Sequence, residues 1–296
     1  MFDELTRREW MEMAMAAMGA VAGMAKWALA EEAVPAVPAK APPWPFYAMD
    51  TGLGGADVPA IEAKVKLLAK LGYAGVDYSL NHQQLPKWLQ ELDKNNLQLW
   101  AVYTSPLLED PMDPGLAGSI RLMKGRKTRV ELAIRSKGLK RSDPAGDQMG
   151  VELLKRVSDL CADTGPVASV YPHTGFWTER VEDGVRLARL VDRKNVGANF
   201  NLVHYKWVKP NPPLEPLLKD ALPQLMTVTI NGLAGDKIVS LDQGDYDLAA
   251  FLATLKKVGY TGPVGLQAWS VPGPSEEHLG RSMTRWKELI KKLQEP

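Results

Sequence analysis

Apolar and polar positions follow two different rhythms along this chain. From residue 44 onward, short apolar runs recur: Phe46–Asp50, Gly75–Leu80, Leu97–Tyr103, Arg129–Arg135, Ala168–Tyr171, Val196–Asn201, Met226–Asn231 and Val264–Trp269. They are rich in Val, Tyr, Leu or Trp, and most are bounded by Gly, Pro, Asn or Asp, which marks them as strands. Between them the rhythm becomes helical. Leu85, Trp88, Leu89 and Leu92 stand at i, i+3, i+4 and i+7, and Leu248, Phe251, Leu252 and Leu255 repeat that spacing. Such a stripe packs on a sheet while the rest of the helix meets water. Related faces lie within Ile61–Leu71, Val151–Cys161, Val181–Leu190 and Met283–Leu293, and Gly72, Gly165 and Gly259 stand where helices should end. Eight strand–helix units in alternation predict one closed (β/α)8 barrel of the α/β class over residues 46–296. The rival, an open dinucleotide-binding sheet, would carry G-x-G-x-x-G after its first strand, and none is there.

The rhythm differs before residue 46. Thr6-Arg7-Arg8-Glu9-Trp10-Met11 precedes an uncharged stretch from Met13 to Met24, and Ala28-Leu29-Ala30 offers a small-residue cleavage site. A charged start, a short apolar core and an A-x-A end predict a secretory signal over residues 1–30, of the twin-arginine type. The expected destination is periplasmic or extracellular, and the apolar core is too short for a permanent membrane anchor. Residues 31–45 hold Pro35, Pro38, Pro42, Pro43 and Pro45 and read as a stiff linker. Removing residues 1–30 leaves one barrel's length, since such a domain takes about 250 residues.

Composition narrows the classes. Of 296 residues, 36 are Lys or Arg and 35 are Asp or Glu, a net charge of +1. A nucleic-acid binder working by counterion release needs a basic surplus, so nucleic acid is not an expected partner. The short basic run Lys124, Arg126, Lys127 and Arg129 reads as a solvated face. The lone cysteine, Cys161, excludes an internal disulfide and cysteine-rich metal sites.

In such a barrel, chemistry lies at the C-terminal ends of the strands. Three of the four histidines fall there: His82, His173 and His204. Tyr171-Pro172-His173 closes the fifth strand among aromatic and polar neighbours that suit a sugar ring. Asn199 and Asn201 point to one face of the sixth strand, and two inward amides are costly unless paired, which suggests pocket groups. Asn231 ends the seventh strand, and Gln267 with Trp269 ends the eighth. His173 or His204 is the natural general base, because imidazole transfers protons near neutral pH.

The run 259–267 (Gly-Tyr-Thr-Gly-Pro-Val-Gly-Leu-Gln), the Asn201-x-x-His204 spacing and Tyr171-Pro172-His173 together resemble the xylose isomerase-like TIM barrel family. The likeness spans residues 46–292 and is greatest to the sugar phosphate isomerase/epimerase branch, a group related to endonuclease IV. The resemblance implies a divalent metal, such as manganese or magnesium, held by Glu, Asp, His and Glu at the ends of strands five to eight. The matching positions here are Tyr171, Asn201, Asn231 and Gln267. His204 matches a substrate-contacting histidine, and Lys237 stands near the place of a substrate-contacting arginine. A neutral Tyr/Asn/Asn/Gln set is a poor host for hard cations, so no cofactor is expected, although His173, Glu179 and His204 leave a different metal site open.

The expected function is therefore a sugar isomerase or epimerase-like activity, or an eliminating lyase, acting by proton transfer next to a carbonyl. His173, His204 and Lys237 would be catalytic, with Lys237 stabilising the oxyanion. Tyr171, Asn199, Asn201, Asn231, Gln267, Trp269 and His82 would bind a small carbohydrate. The alternative is a non-catalytic carbohydrate-binding barrel. A nuclease would need a His/Asp/Glu ligand cluster that these positions lack.

Overall fold

In a computed structural model that describes residues 44–295, eight parallel strands close into a barrel. In chain order the elements are β1 (Phe46–Met49), α1 (Ile61–Leu71), β2 (Gly75–Ser79), α2 (Leu85–Lys94), β3 (Gln98–Thr104), α3 (Pro114–Leu122), β4 (Arg129–Leu132), α4 (Asp147–Ala162), β5 (Val167–Val170) and α5 (Val181–Val191). Then follow β6 (Val196–Asn201), α6 (Leu202–Trp207), α7 (Leu214–Ala221), β7 (Leu225–Ile230), β8 (Gly232–Ala234), β9 (Lys237–Val239), α8 (Leu248–Lys257), β10 (Val264–Leu266) and α9 (Ser275–Gln294). Strands β1 to β7 pair in sequence order, and β10 closes the ring between β7 and β1. The signal segment and residues 31–43 of the linker lie outside the described residues. Trp44, at the linker's end, is buried and donates its indole N–H to the Tyr260 carbonyl at 2.8 Å. No described helix is long and apolar enough to cross a membrane.

The helical stripes do what their spacing predicts. Leu85, Trp88, Leu89 and Leu92 of α2 are buried, as are Leu248, Phe251, Leu252 and Leu255 of α8. Three helices escape the sequence reading. Helices α3, α6 and α7 are only 9, 6 and 8 residues long, too short to display a repeating stripe. The small hairpin β8–β9 is also unforeseen. It is an antiparallel pair inserted after β7, and its three-residue strands carry too few positions to show a period.

The main apolar core lies between sheet and helices. There the Phe46 ring stacks on Trp286 with centroids 4.1 Å apart. The barrel interior holds a separate cluster of Tyr47, Met49, Ala133 and Tyr171, packed against Trp100, Tyr103 and Phe176. Gly265 makes room for it, because a Cβ there would come within 2.4 Å of the Tyr47 ring.

Candidate active site

A cleft of about 290 Å³ opens at the C-terminal end of the barrel. Tyr171, His173, His204, Gln267 and Trp269, all singled out from the sequence, line it, together with Tyr103, Ser79, Thr51, Thr174, Trp207, Met49 and Ile238.

Asn201 sets the geometry on one side. It is the last residue of β6 and the N-cap of α6, and its side-chain oxygen accepts the His204 backbone N–H at 3.1 Å. His204 therefore sits in the first turn of α6, and Trp207, three residues on, shares its face. Their rings meet edge to face at 5.8 Å. The Asn201 amide N–H donates to the Tyr171 hydroxyl at 2.5 Å. Asn201 is thus fully buried and both its polar atoms are engaged. It shapes the wall of the cleft and does not line it.

The β5–α5 loop supplies the other side. The His173 backbone N–H donates to the Thr178 carbonyl, and the Phe176 N–H donates back to the His173 carbonyl. Trp177 anchors the loop below, buried against Gly146 and Gly150. The His173 ring stacks on Phe176 with centroids 4.0 Å apart and lies 4.3 Å from the His204 ring.

Hydrogen bonds assign the two imidazoles opposite tautomers. His173 Nδ1 faces the Thr174 carbonyl at 2.9 Å and must donate to it, leaving a lone pair on Nε2. His204 Nδ1 accepts the Thr174 backbone N–H at 3.3 Å, so its proton is on Nε2. That buried Nε2–H has no protein partner. Burial pulls His204 down to about 3, and the neighbouring His173 adds to the shift. Burial also lowers His173, while its bond to the Thr174 carbonyl opposes the shift.

The remaining sequence candidates lie elsewhere. Lys237 is exposed on β9, whereas the next residue, Ile238, lines the cleft; alternation along a strand sends the two side chains to opposite faces. His82 bridges Ser119 Oγ at 2.7 Å and Asp113 at 2.8 Å, tying the β2–α2 loop to α3. Asn231 is buried and donates to the Gly232 carbonyl. Glu179 accepts the Gly175 N–H at 2.8 Å and pairs with Arg141. Among the described residues, no group of three or more His, Cys, Asp or Glu side chains converges on one point.

Asn199 leads to a feature the sequence reading missed. Its amide donates to Glu131 Oε1 at 2.7 Å, and Thr227 adds a longer bond to the same oxygen. Glu131 and Asp77 are both buried within the barrel, and Glu131 Oε2 and both Asp77 oxygens have no hydrogen-bond partner. Two adjacent buried carboxylates cannot both stay ionised, so the pair holds a proton between them. Burial drives both groups up, with Glu131 reaching about 7 against the opposing pull of Arg129. The signal was present as a single acidic residue between apolar neighbours in each of two strands.

The sign of the resulting pH dependence is definite. A carboxyl raised in the folded state holds its proton more tightly than in the unfolded chain, so stability falls as pH climbs from about 4.5 to about 7. Glu131→Gln keeps the shape and removes the ionisation. The variant is expected to match the parent in unfolding free energy by urea titration at pH 5 and to exceed it at pH 8, by at most about 3 kcal/mol. Parallel pH profiles for the two proteins would contradict the shared proton.

With the geometry in place, comparison with known proteins adds the lineage. A family model described as xylose isomerase-like TIM barrel matches residues 65–293. The chain belongs to that family. Among curated proteins, none matches it in sequence. Solved structures of the xylose isomerase-like fold that resemble it include 3-keto-D-glucoside 4-epimerase from E. coli, at 16% identity and a TM-score of 0.65, covering 84% of this chain and 99% of that one. D-allulose 3-epimerase from Methylomonas sp., in complex with D-allulose, shares 17% identity with a TM-score of 0.66, over 84% and 98% of the two chains. The IOLI protein with a bound zinc atom shares 17% identity with a TM-score of 0.68, again over 84% and 98%. At these identities the likeness establishes the xylose isomerase-like barrel itself.

Proposed function

We propose that this protein is a sugar isomerase or epimerase-like enzyme that moves a proton next to a carbonyl with two neutral histidines. The observation that carries the reading is their opposite tautomers in one cleft. His173, with its Nδ1–H committed to Thr174, offers the Nε2 lone pair as general base. His204 is a poor base, since its Nδ1 is occupied and burial holds it neutral. Its free Nε2–H suits the opposite task of polarising the sugar carbonyl as negative charge develops on oxygen. That places the oxyanion role on His204 and leaves Lys237 outside it. His173 takes the proton from the carbon beside the carbonyl, leaving an enediolate whose oxygen is held by the His204 Nε2–H. The imidazolium then protonates the former carbonyl carbon while the neighbouring hydroxyl passes its proton to the held oxygen, which interconverts aldose and ketose. Family membership, and neighbours named as sugar epimerases, support the choice of substrate class.

The family's divalent metal is not part of this reading. At the four matched positions the donors are neutral, and a hard cation needs anionic oxygens. Burial keeps the Tyr171 phenol protonated, and Asn201 spends both of its amide atoms inside the wall. The residues present do not fit the ion, and no step is assigned to it.

Incubation with ketoses and aldoses in deuterated water tests the proposal. Deuterium is expected at the carbon beside the carbonyl in at least one sugar, in chelator-treated enzyme and without added metal. Binding without exchange for any sugar would instead favour the non-catalytic barrel.

A further inference from the structure

The lining of the cleft carries the reading further, to the class of sugar. None of its lining residues is Asp, Glu, Lys or Arg. The acidic group just behind the lining is Asp50, whose two carboxylate oxygens accept the Ser79 N–H and hydroxyl at 2.8 Å. A phosphate or carboxylate entering here would meet no cation among the lining residues and would face a carboxyl group behind Ser79. The unsatisfied groups are neutral and complementary. Gln267 Oε1 is a buried acceptor and His204 Nε2–H a buried donor, and neither has a protein partner. Sugar hydroxyls, which donate and accept, satisfy such a pair.

Size and shape add a second element. A cavity of about 290 Å³ encloses one hexose ring and is too small for two. Anything attached to that ring must lie at the mouth. There Trp269 stands 56% exposed, although it lines the cleft. The next residue, Ser270, holds a left-handed backbone at φ 57°, a conformation costly for a residue other than glycine and common at ligand clamps. The Trp207 indole, also in the lining, has its N–H fixed to the Asp236 carbonyl at 3.1 Å. An exposed indole beside a pocket of one ring's size is a platform for a second ring.

We propose that the cleft takes an uncharged glycoside, with one sugar ring enclosed against Gln267 and His204 and its attached ring stacked on Trp269. This deepens the sugar reading above and rests on it.

Calorimetric titration of the protein tests it with three sets of probes. They are the monosaccharides glucose, galactose and fructose, their 6-phosphates, and the disaccharides cellobiose, maltose, turanose and lactulose. At least one disaccharide is expected to bind about tenfold more tightly than its component sugars, with the phosphates weakest. Trp269→Ala should weaken disaccharide binding about tenfold more than monosaccharide binding, and Trp269→Tyr should restore part of the difference. A phosphate ester binding tightest would overturn the proposal while leaving the sugar reading intact. So would equal affinity for one ring and two, or a Trp269→Ala loss shared equally by both. Failure of every sugar to bind would instead bring down the sugar reading, and this proposal with it.

Discussion

Replacing His173 by alanine is expected to lower kcat by roughly 10²–10⁴, the usual worth of a positioned general base, while KM for the same sugar changes little. The base acts on a proton that moves only in the transition state, so its loss falls on the chemical step. The parent enzyme should show the matching pH signature. Burial lowers the His173 value, so the acid limb of kcat/KM should lie below the ordinary imidazole value of about 6.5. Activity should rise with pH through that limb and then level off, because the lone pair is then free. The partner histidine should respond differently. His204→Gln still offers an N–H donor and should retain part of the turnover that His204→Ala loses. An alanine variant at 173 that keeps activity within tenfold of the parent, folded by its thermal midpoint, would remove His173 from the mechanism.

Trp177→Ala is expected to destabilise the barrel by about 3–5 kcal/mol, as for other large buried aromatics. The indole is 2% exposed, and its N–H donates to the Asp143 carbonyl at 2.9 Å. Gly146 and Gly150 lie so close to the ring that a Cβ on either would fall within 2.8 Å of it, so truncation leaves a cavity with rigid backbone walls. Urea denaturation reads the loss directly. The effect should also reach the site, because the next residue, Thr178, receives the His173 N–H and itself donates to the Ile134 carbonyl. Below the unfolding transition, the variant should therefore lose kcat in addition to stability. A loss under about 1 kcal/mol would mean that the loop collapses into the space, and that Trp177 is not its anchor.

Residue chemistry was legible in the sequence where it depends on strand position alone. Tyr171, His173, His204, Gln267 and Trp269 meet in the cleft because each follows a barrel strand, and every strand delivers its C-terminal end to one face. What those residues then do was less legible. Asn201 carries the polar character of a ligand group, yet a helix begins at the next residue and turns it into a cap. His82 is also placed at a strand end, but Asp113 at the cap of a helix and Ser119 within it, more than thirty positions away, hold its ring outside the cleft. The parity of a three-residue hairpin strand decides that Ile238, and not Lys237, faces the site.

By itself, the sequence determined the barrel: the order of strands, the buried faces of the long helices, and the face on which chemistry belongs. These follow from periodicity, which is a local property written within each segment. Only the tertiary structure decided the pairings. Asp77 and Glu131 act on each other inside the barrel, Asn199 is spent on Glu131, and Thr174 sets both histidine tautomers. Proton position, ionisation and hydrogen-bond role depend on distances of a few ångströms between groups far apart in the chain. No local pattern encodes those distances before the ring of strands has closed.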